Sequence, residues 1–131
     1  MFVSFRMLKN LLILFLLVGG SMQAQGLKDY MWENRLIILF HDEGDNAFDK
    51  QKKLLLSRQK DLEERDIVLL KANESIKTQL NQDSDFHGIL LIGKDGGIKL
   101  KAPFVVEPDV IFTLIDGMPM RRSEMNKKKK Y

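Results

Sequence analysis

The sequence predicts an α/β domain, a four-stranded mixed sheet in the order β-α-β-(α)-β-β-α with helices on both faces. Three observations predict it. Short unbroken apolar runs recur at Leu36 to Phe40, Ile67 to Leu70 and Ile89 to Ile92, as strands buried on both faces require. A stretch of helical periodicity separates the first two runs, which makes a βαβ unit. The third run is followed by Lys94-Asp95-Gly96-Gly97, a strong turn signal, and then by the alternating Ile98-Lys99-Leu100-Lys101, the pattern of a half-exposed edge strand.

The elements follow in chain order. Asn34 to Phe40 is the first strand, and the polar stretch His41 to Asp45 is a loop. Asn46 is the expected N-cap of a helix over about Ala47 to Glu64. Phe48, Leu55 and Leu62 recur there every seven residues, with Ala47, Leu54 and Leu56 widening the apolar face. Ile67 to Leu70 is the second strand, Asn73 to Leu80 a short helix, and Gly88 to Ile92 the third strand. The last helix starts at Pro108, a favourable first helical residue, turns Val110, Ile111, Leu114 and Ile115 inward, and stops at Gly117. Tyr30 and Trp32, ahead of the first strand, are expected to cover the sheet as half-buried amphipathic aromatics. A parallel half, an antiparallel hairpin and a covering helix make this the thioredoxin-like arrangement.

Ahead of the domain, Met1 to Ala24 has the layout of a secretory signal peptide. Arg6 and Lys9 supply the positive start, and Leu11 to Val18 is an unbroken apolar run. That run is too short to span a bilayer, which takes roughly 20 apolar residues. Cleavage is expected after Ala24, with Gly19 and Ser21 as an alternative pair of small residues before the cut. The expected location is therefore secreted or periplasmic. The domain proper is expected over residues 25–122, with residues 123–131 as a basic, solvated and mobile tail.

Composition narrows the chemistry. The chain has 131 residues, 44% hydrophobic and 30% charged, with no cysteine. Thiol catalysis, disulfides and thiolate metal sites are excluded together. Residues 25–120 carry thirteen basic and seventeen acidic side chains, whereas residues 121–131 carry six basic and one acidic. The positive net charge is thus a property of the tail. An acidic body does not suit nucleic acid, which needs clustered positive charge. Lys127 to Lys130 could attach weakly to an anionic membrane surface or another polyanion.

Four stretches carry a resemblance: Tyr30 to Arg35, Glu64 to Val68, Leu91 to Gly97, and Ile115-Asp116-Gly117-Met118-Pro119-Met120-Arg121-Arg122, the most specific of them. Together they resemble P-DUDES, a bacterial domain of unknown function, and are similar to the domain of animal extracellular sushi-repeat proteins. The resemblance covers roughly residues 27–125. It implies a thioredoxin-like fold, distantly similar to peroxiredoxins, in exported proteins, and it carries no catalytic residue set. Active thioredoxins place a Cys-x-x-Cys pair where this chain has His41 to Asp45. They place a cis-proline where it has Asp85-Phe86-His87. Thiol–disulfide exchange needs a thiolate, which no residue here supplies.

The candidate binding residues are His41, Asp42, His87, Arg121 and Arg122. His41 follows the first strand and His87 precedes the third, ends that lie side by side in such a sheet, where α/β folds often bind ligands. With Asp42, and with Glu43 and Asp45 nearby, they form a donor set suited to zinc or a similar ion, although no HExxH-type spacing is present. A calcium loop starting at Asp42 fails, because its twelfth position is Lys53. Arg121-Arg122 reads as a bidentate anion clamp or, alternatively, as surface ion pairs. Glu63/Glu64 and Asp83/Asp85 read as solvated surface. No nucleophile elbow, P-loop or dinucleotide fingerprint occurs. The expected role is a binding or accessory module without a cofactor, its partner an unidentified protein or envelope component. The alternatives are a non-thiol, metal-assisted enzyme at His41, Asp42 and His87, and envelope attachment through the basic tail.

Overall fold

The structure is a computed structural model and describes residues 26–130 apart from Glu43 and Ser84. The expected signal peptide and Tyr131 lie outside the described residues. No helix among the described residues is long and apolar enough to cross a membrane.

A 3-10 turn at Leu27–Tyr30 leads into β1 (Arg35–Phe40). Then come α1 (Asn46–Leu56), α2 (Gln59–Glu64), β2 (Ile67–Lys71), α3 (Glu74–Gln79), β3 (Gly88–Ile92), β4 (Ile98–Pro103), α4 (Pro108–Asp116) and α5 (Pro119–Lys130). The sheet order is β2-β1-β3-β4. β1 runs parallel to β2 and antiparallel to β3, and β3 runs antiparallel to β4. The expected mixed sheet is present. β1 is apolar at every position after Arg35 because it is central and covered on both faces, so each of its six residues is buried.

Alternation along β1 and β3 divides the core in two. Ile37, Leu39, Ile89 and Leu91 face Phe48 and Leu55 of α1, Leu62 of α2, and Ile111, Phe112 and Ile115 of α4. Leu36, Ile38, Phe40, Leu90 and Ile92 face Ile76 of α3, with Leu27, Tyr30 and Phe86 packed against them. Burying each such side chain stabilises the fold by about 1.5–3 kcal/mol.

Several expectations are corrected. The single helix to Glu64 is two, because Ser57 turns its hydroxyl onto the Leu54 carbonyl at 2.6 Å and Arg58 leaves helical geometry. The N-cap is Asp45, not Asn46, which is the first residue of α1. α4 buries Pro108, Ile111, Phe112 and Ile115, one helical stripe, while Val110 and Leu114 are exposed on the other side; Leu56 of α1 is also exposed. Trp32 is not cover for the sheet: it is 64% exposed. The basic segment is helical: it belongs to α5, and the expected boundary at residue 122 falls inside that helix.

Candidate functional site

Strand register creates the site. Phe40, the last residue of β1, pairs with Gly88, the first of β3, so His41 and His87 stand side by side just beyond that pair. Their ring centroids are 3.8 Å apart at an interplanar angle of 78°. The third member arrives from α1. Asp45 caps that helix, its Oδ1 accepting from Ala47 N–H at 2.8 Å and Phe48 N–H at 3.4 Å. The capped oxygen fixes the carboxylate, and Oδ2 lies 3.3 Å from His41 Nδ1. That approach lacks hydrogen-bond direction, so Nδ1 of His41 is buried without a hydrogen-bond partner.

One ligand atom each from His41, Asp45 and His87 lies within 4.8 Å of the other two. The Asp45 carboxyl is held below its ordinary pKa, first by the Ala47 N–H, against the opposing effect of burial, then by Phe48 and the two imidazoles. It is therefore ionised at neutral pH. Two neutral imidazoles and one carboxylate make a donor set for zinc, copper or nickel. Around one ion, ligand atoms at about 2.1 Å stand about 3.4 Å apart. The three groups are thus slightly open relative to a closed site. A small cavity of about 100 Å³ adjoins both histidines, walled by Phe40, Ala72, Lys77 and Phe86.

Asp42 also lines that cavity, but it is exposed and sits 3.6 Å from Lys71, so the carboxylate gathered with the two histidines is that of Asp45. Capping decides between them, because a helix start after a short loop fixes the acid at the N-cap and leaves the earlier one in solvent. Asp49, another acid of the supposed calcium loop, accepts from Gly44 N–H at 3.5 Å.

Arg121 and Arg122 do not form a clamp. Successive helical residues point in different directions. Arg121 is 1% exposed and donates to Asp116 Oδ1 at 3.0 Å, the Glu64 carbonyl at 3.3 Å and Glu64 Oε1 at 3.2 Å, while Arg122 is exposed. Asp116 also takes Arg65 in a bidentate pair at 3.0 and 2.8 Å. The motif around residues 115–122 is therefore a packing device: it binds α4 and α5 to the α2–β2 turn.

A family profile described as "Domain of unknown function (DUF4174)" matches residues 26–82 and 71–124. No curated protein matches the chain. Among solved structures, the crystal structure of the reduced 2-Cys peroxiredoxin of Plasmodium vivax is similar, with a TM-score of 0.57 and 13% identity. The likeness covers 80% of this chain and 85% of that one. At such identity it establishes the thioredoxin-like fold alone.

Proposed function

The chain belongs to the family described as a domain of unknown function, DUF4174, and from that premise we propose that it is an exported binding module that holds a divalent transition-metal ion between His41, Asp45 and His87. The observation that carries this reading is the convergence of the three ligand atoms within 4.8 Å. Its position supports it: the cluster occupies the β1–α1 loop and the approach to β3, the two places where thioredoxin-like enzymes keep their redox motif and cis-proline. The scaffold's usual site is thus refurnished with nitrogen and oxygen donors in a chain that has no sulfur nucleophile. The charged and apolar layout of residues 1–24 supports export. The narrower likeness to P-DUDES and the sushi-repeat domain belongs to the same proposal, since its four stretches all lie within the matched residues.

With His41, Asp45 and His87 as its protein ligands, a bound ion would keep a fourth position for water or another ligand. The Asp45 oxygen held by two backbone N–H groups orients the free one, the role that outer-sphere hydrogen bonds play in metal sites. Imidazole must be deprotonated to bind, so affinity falls in acid.

The test is equilibrium dialysis and thermal melting of the purified chain with zinc, copper and nickel salts. One ion per chain is expected, with a stabilisation of about 2.7 kcal/mol at a hundredfold excess over Kd. His41→Ala and His87→Ala should abolish binding and Asp42→Asn should retain it. No melting shift with any of the three ions, or equal binding by the histidine variants, overturns the assignment.

A further inference from the structure

We propose that the face formed by Trp32 and α5 docks on an anionic phospholipid surface. Among the described residues, Trp32 is one of three non-glycine residues with positive φ, at 70°. The other two are Asp66 and Asn81, types whose short polar side chains tolerate that region. A bulky aromatic there is an outlier, and such strain persists only where the surroundings impose it. Here they do. Trp32 N–H donates to the Lys94 carbonyl at 2.6 Å, while Glu33 and Asn34 N–H both donate to the Tyr30 carbonyl, at 3.1 and 2.8 Å. The turn so held keeps the indole out in solvent, and Met31 beside it is 38% exposed. Met31 lines a cavity of about 270 Å³ together with Leu27, Tyr30, Leu36, Leu80 and Ile92, and Lys28 also lines it.

Lysines also stand at this end of the molecule, beside the exposed acids Asp29 and Glu33. Lys94, which anchors Trp32 through its carbonyl, binds Glu124 of α5 through its ammonium. Lys127 and Lys128 follow one turn later, and they are exposed together with Arg122 and Lys129. Glu124 is the only acid in residues 121–131, and it is occupied by Arg35 and Lys94. The helix therefore presents its lysines without a neutralising acid of its own segment.

A soluble polyanion would satisfy the lysines but offer nothing to Trp32, Met31 and the apolar cavity. A bilayer interface offers both: acidic headgroups to lysines and a headgroup-level seat to an amphipathic indole. This proposal is independent of the metal site, at the opposite end of β1.

The chain has a single tryptophan, so its fluorescence reports position 32 alone. The fragment 25–131, which contains the whole sheet and both cores, is mixed with vesicles of phosphatidylglycerol and phosphatidylcholine, or of phosphatidylcholine only. With the anionic vesicles the expected result is co-sedimentation, a blue-shifted emission and protection from acrylamide. All three should be lost in 0.5 M salt and in the triple variant Lys127→Glu, Lys128→Glu, Lys129→Glu; Trp32→Ala should sediment several-fold more weakly. Melting curves verify that the surface variants fold. Failure to sediment, sedimentation without an emission change, equal binding to phosphatidylcholine, or the same blue shift with soluble heparin each overturns it.

Discussion

Arg35, the first residue of β1, donates from Nη1 to Glu124 Oε2 of α5 at 3.3 Å across 89 positions of sequence. The other carboxylate oxygen accepts from Lys94 Nζ at 2.5 Å. Arg35 also donates to the Arg65 carbonyl at 2.9 Å. Both cations are buried, whereas the Glu124 side chain is 22% exposed, so one partly open carboxylate joins two charges that the fold has taken out of water, with Asp66 sharing Lys94 at 2.9 Å and Arg121 also within 3.6 Å of Glu124.

Removing that carboxylate should be costly. Glu124→Gln is expected to lower stability by about 1–3 kcal/mol, the range for leaving charged hydrogen-bonding groups unsatisfied. Deleting residues 123–131 should cost at least as much. Urea midpoints measure both. Unchanged midpoints would mean that α5 is only appended to the domain.

The same contact predicts an acid limb in the stability profile. Burial raises the Glu124 pKa, but the Lys94 and Arg35 hydrogen bonds outweigh it and the carboxyl ends below its ordinary value of 4.5. For Asp116 burial likewise opposes, and Arg65 and Arg121 win, placing it below 3.8. A folded pKa below the unfolded one gives stability that is complete above the unfolded value and lost as pH falls through the folded value. Melting temperature should therefore be flat with respect to these two groups above about pH 5 and should fall through the acid range below their ordinary values. Glu124→Gln should have a shallower acid limb than wild type; identical slopes would contradict the assignment.

What was legible in the sequence was legible through periodicity. Three apolar runs and the alternation of Ile98 to Lys101 marked the four strands, and their pairing put His41 beside His87, because the end of β1 must meet the start of β3. Features that depend on distant partners were not legible. Nothing near Glu124 in sequence says that Arg35 and Lys94 need it, so its segment looked like a solvated tail. Adjacent arginines look alike until a helix turns Arg121 toward Asp116 and Arg122 away. Asp42 and Asp45 differ only in which one caps α1. The left-handed backbone of Trp32 has no local signature, since tryptophan is not a residue that asks for it.

A fold shared with a peroxiredoxin brings no thiol chemistry to a chain without cysteine. The purified protein is expected neither to reduce insulin disulfides with a thioredoxin-type electron supply nor to consume peroxide at the expense of dithiothreitol. Turnover that survives rigorous removal of contaminating reductases would refute this.

Gln51 is a buried amide on α1 that clamps the chain ahead of α4. Its Nε2 donates to the Val106 carbonyl at 2.9 Å and its Oε1 accepts from Val106 N–H at 2.6 Å. Gln51→Leu keeps the volume but leaves both backbone groups unpaired. Each orphaned group costs about 1–3 kcal/mol, so the variant should rank among the least stable single substitutions. Amide hydrogen exchange at Val106 should accelerate by the corresponding factor. Protection equal to wild type would show that the clamp is dispensable.

Gly88 tests how tightly the histidine site is tied to the sheet. It opens β3 between Phe40 on one side and Pro103 on the other, directly after His87. A Cβ placed there would meet the Ala102 carbonyl oxygen at 2.2 Å and Phe86 Cζ at 2.8 Å. The first is backbone of a paired strand, which cannot yield without breaking the ladder; the second is a ring seated 5.2 Å from Phe40. Gly88→Ala should therefore cost about 1–3 kcal/mol as an overpacking change and displace His87 from His41. Gly117→Ala is the control. Its φ is −83° and the nearest atom to the added carbon is 3.6 Å away, so it should stay within about 0.5 kcal/mol of wild type. Thermal melts of the pair, with zinc titrations of each, separate loss of stability from loss of the site. If Gly88→Ala melts like Gly117→Ala and binds zinc like wild type, the strand contact does not position His87.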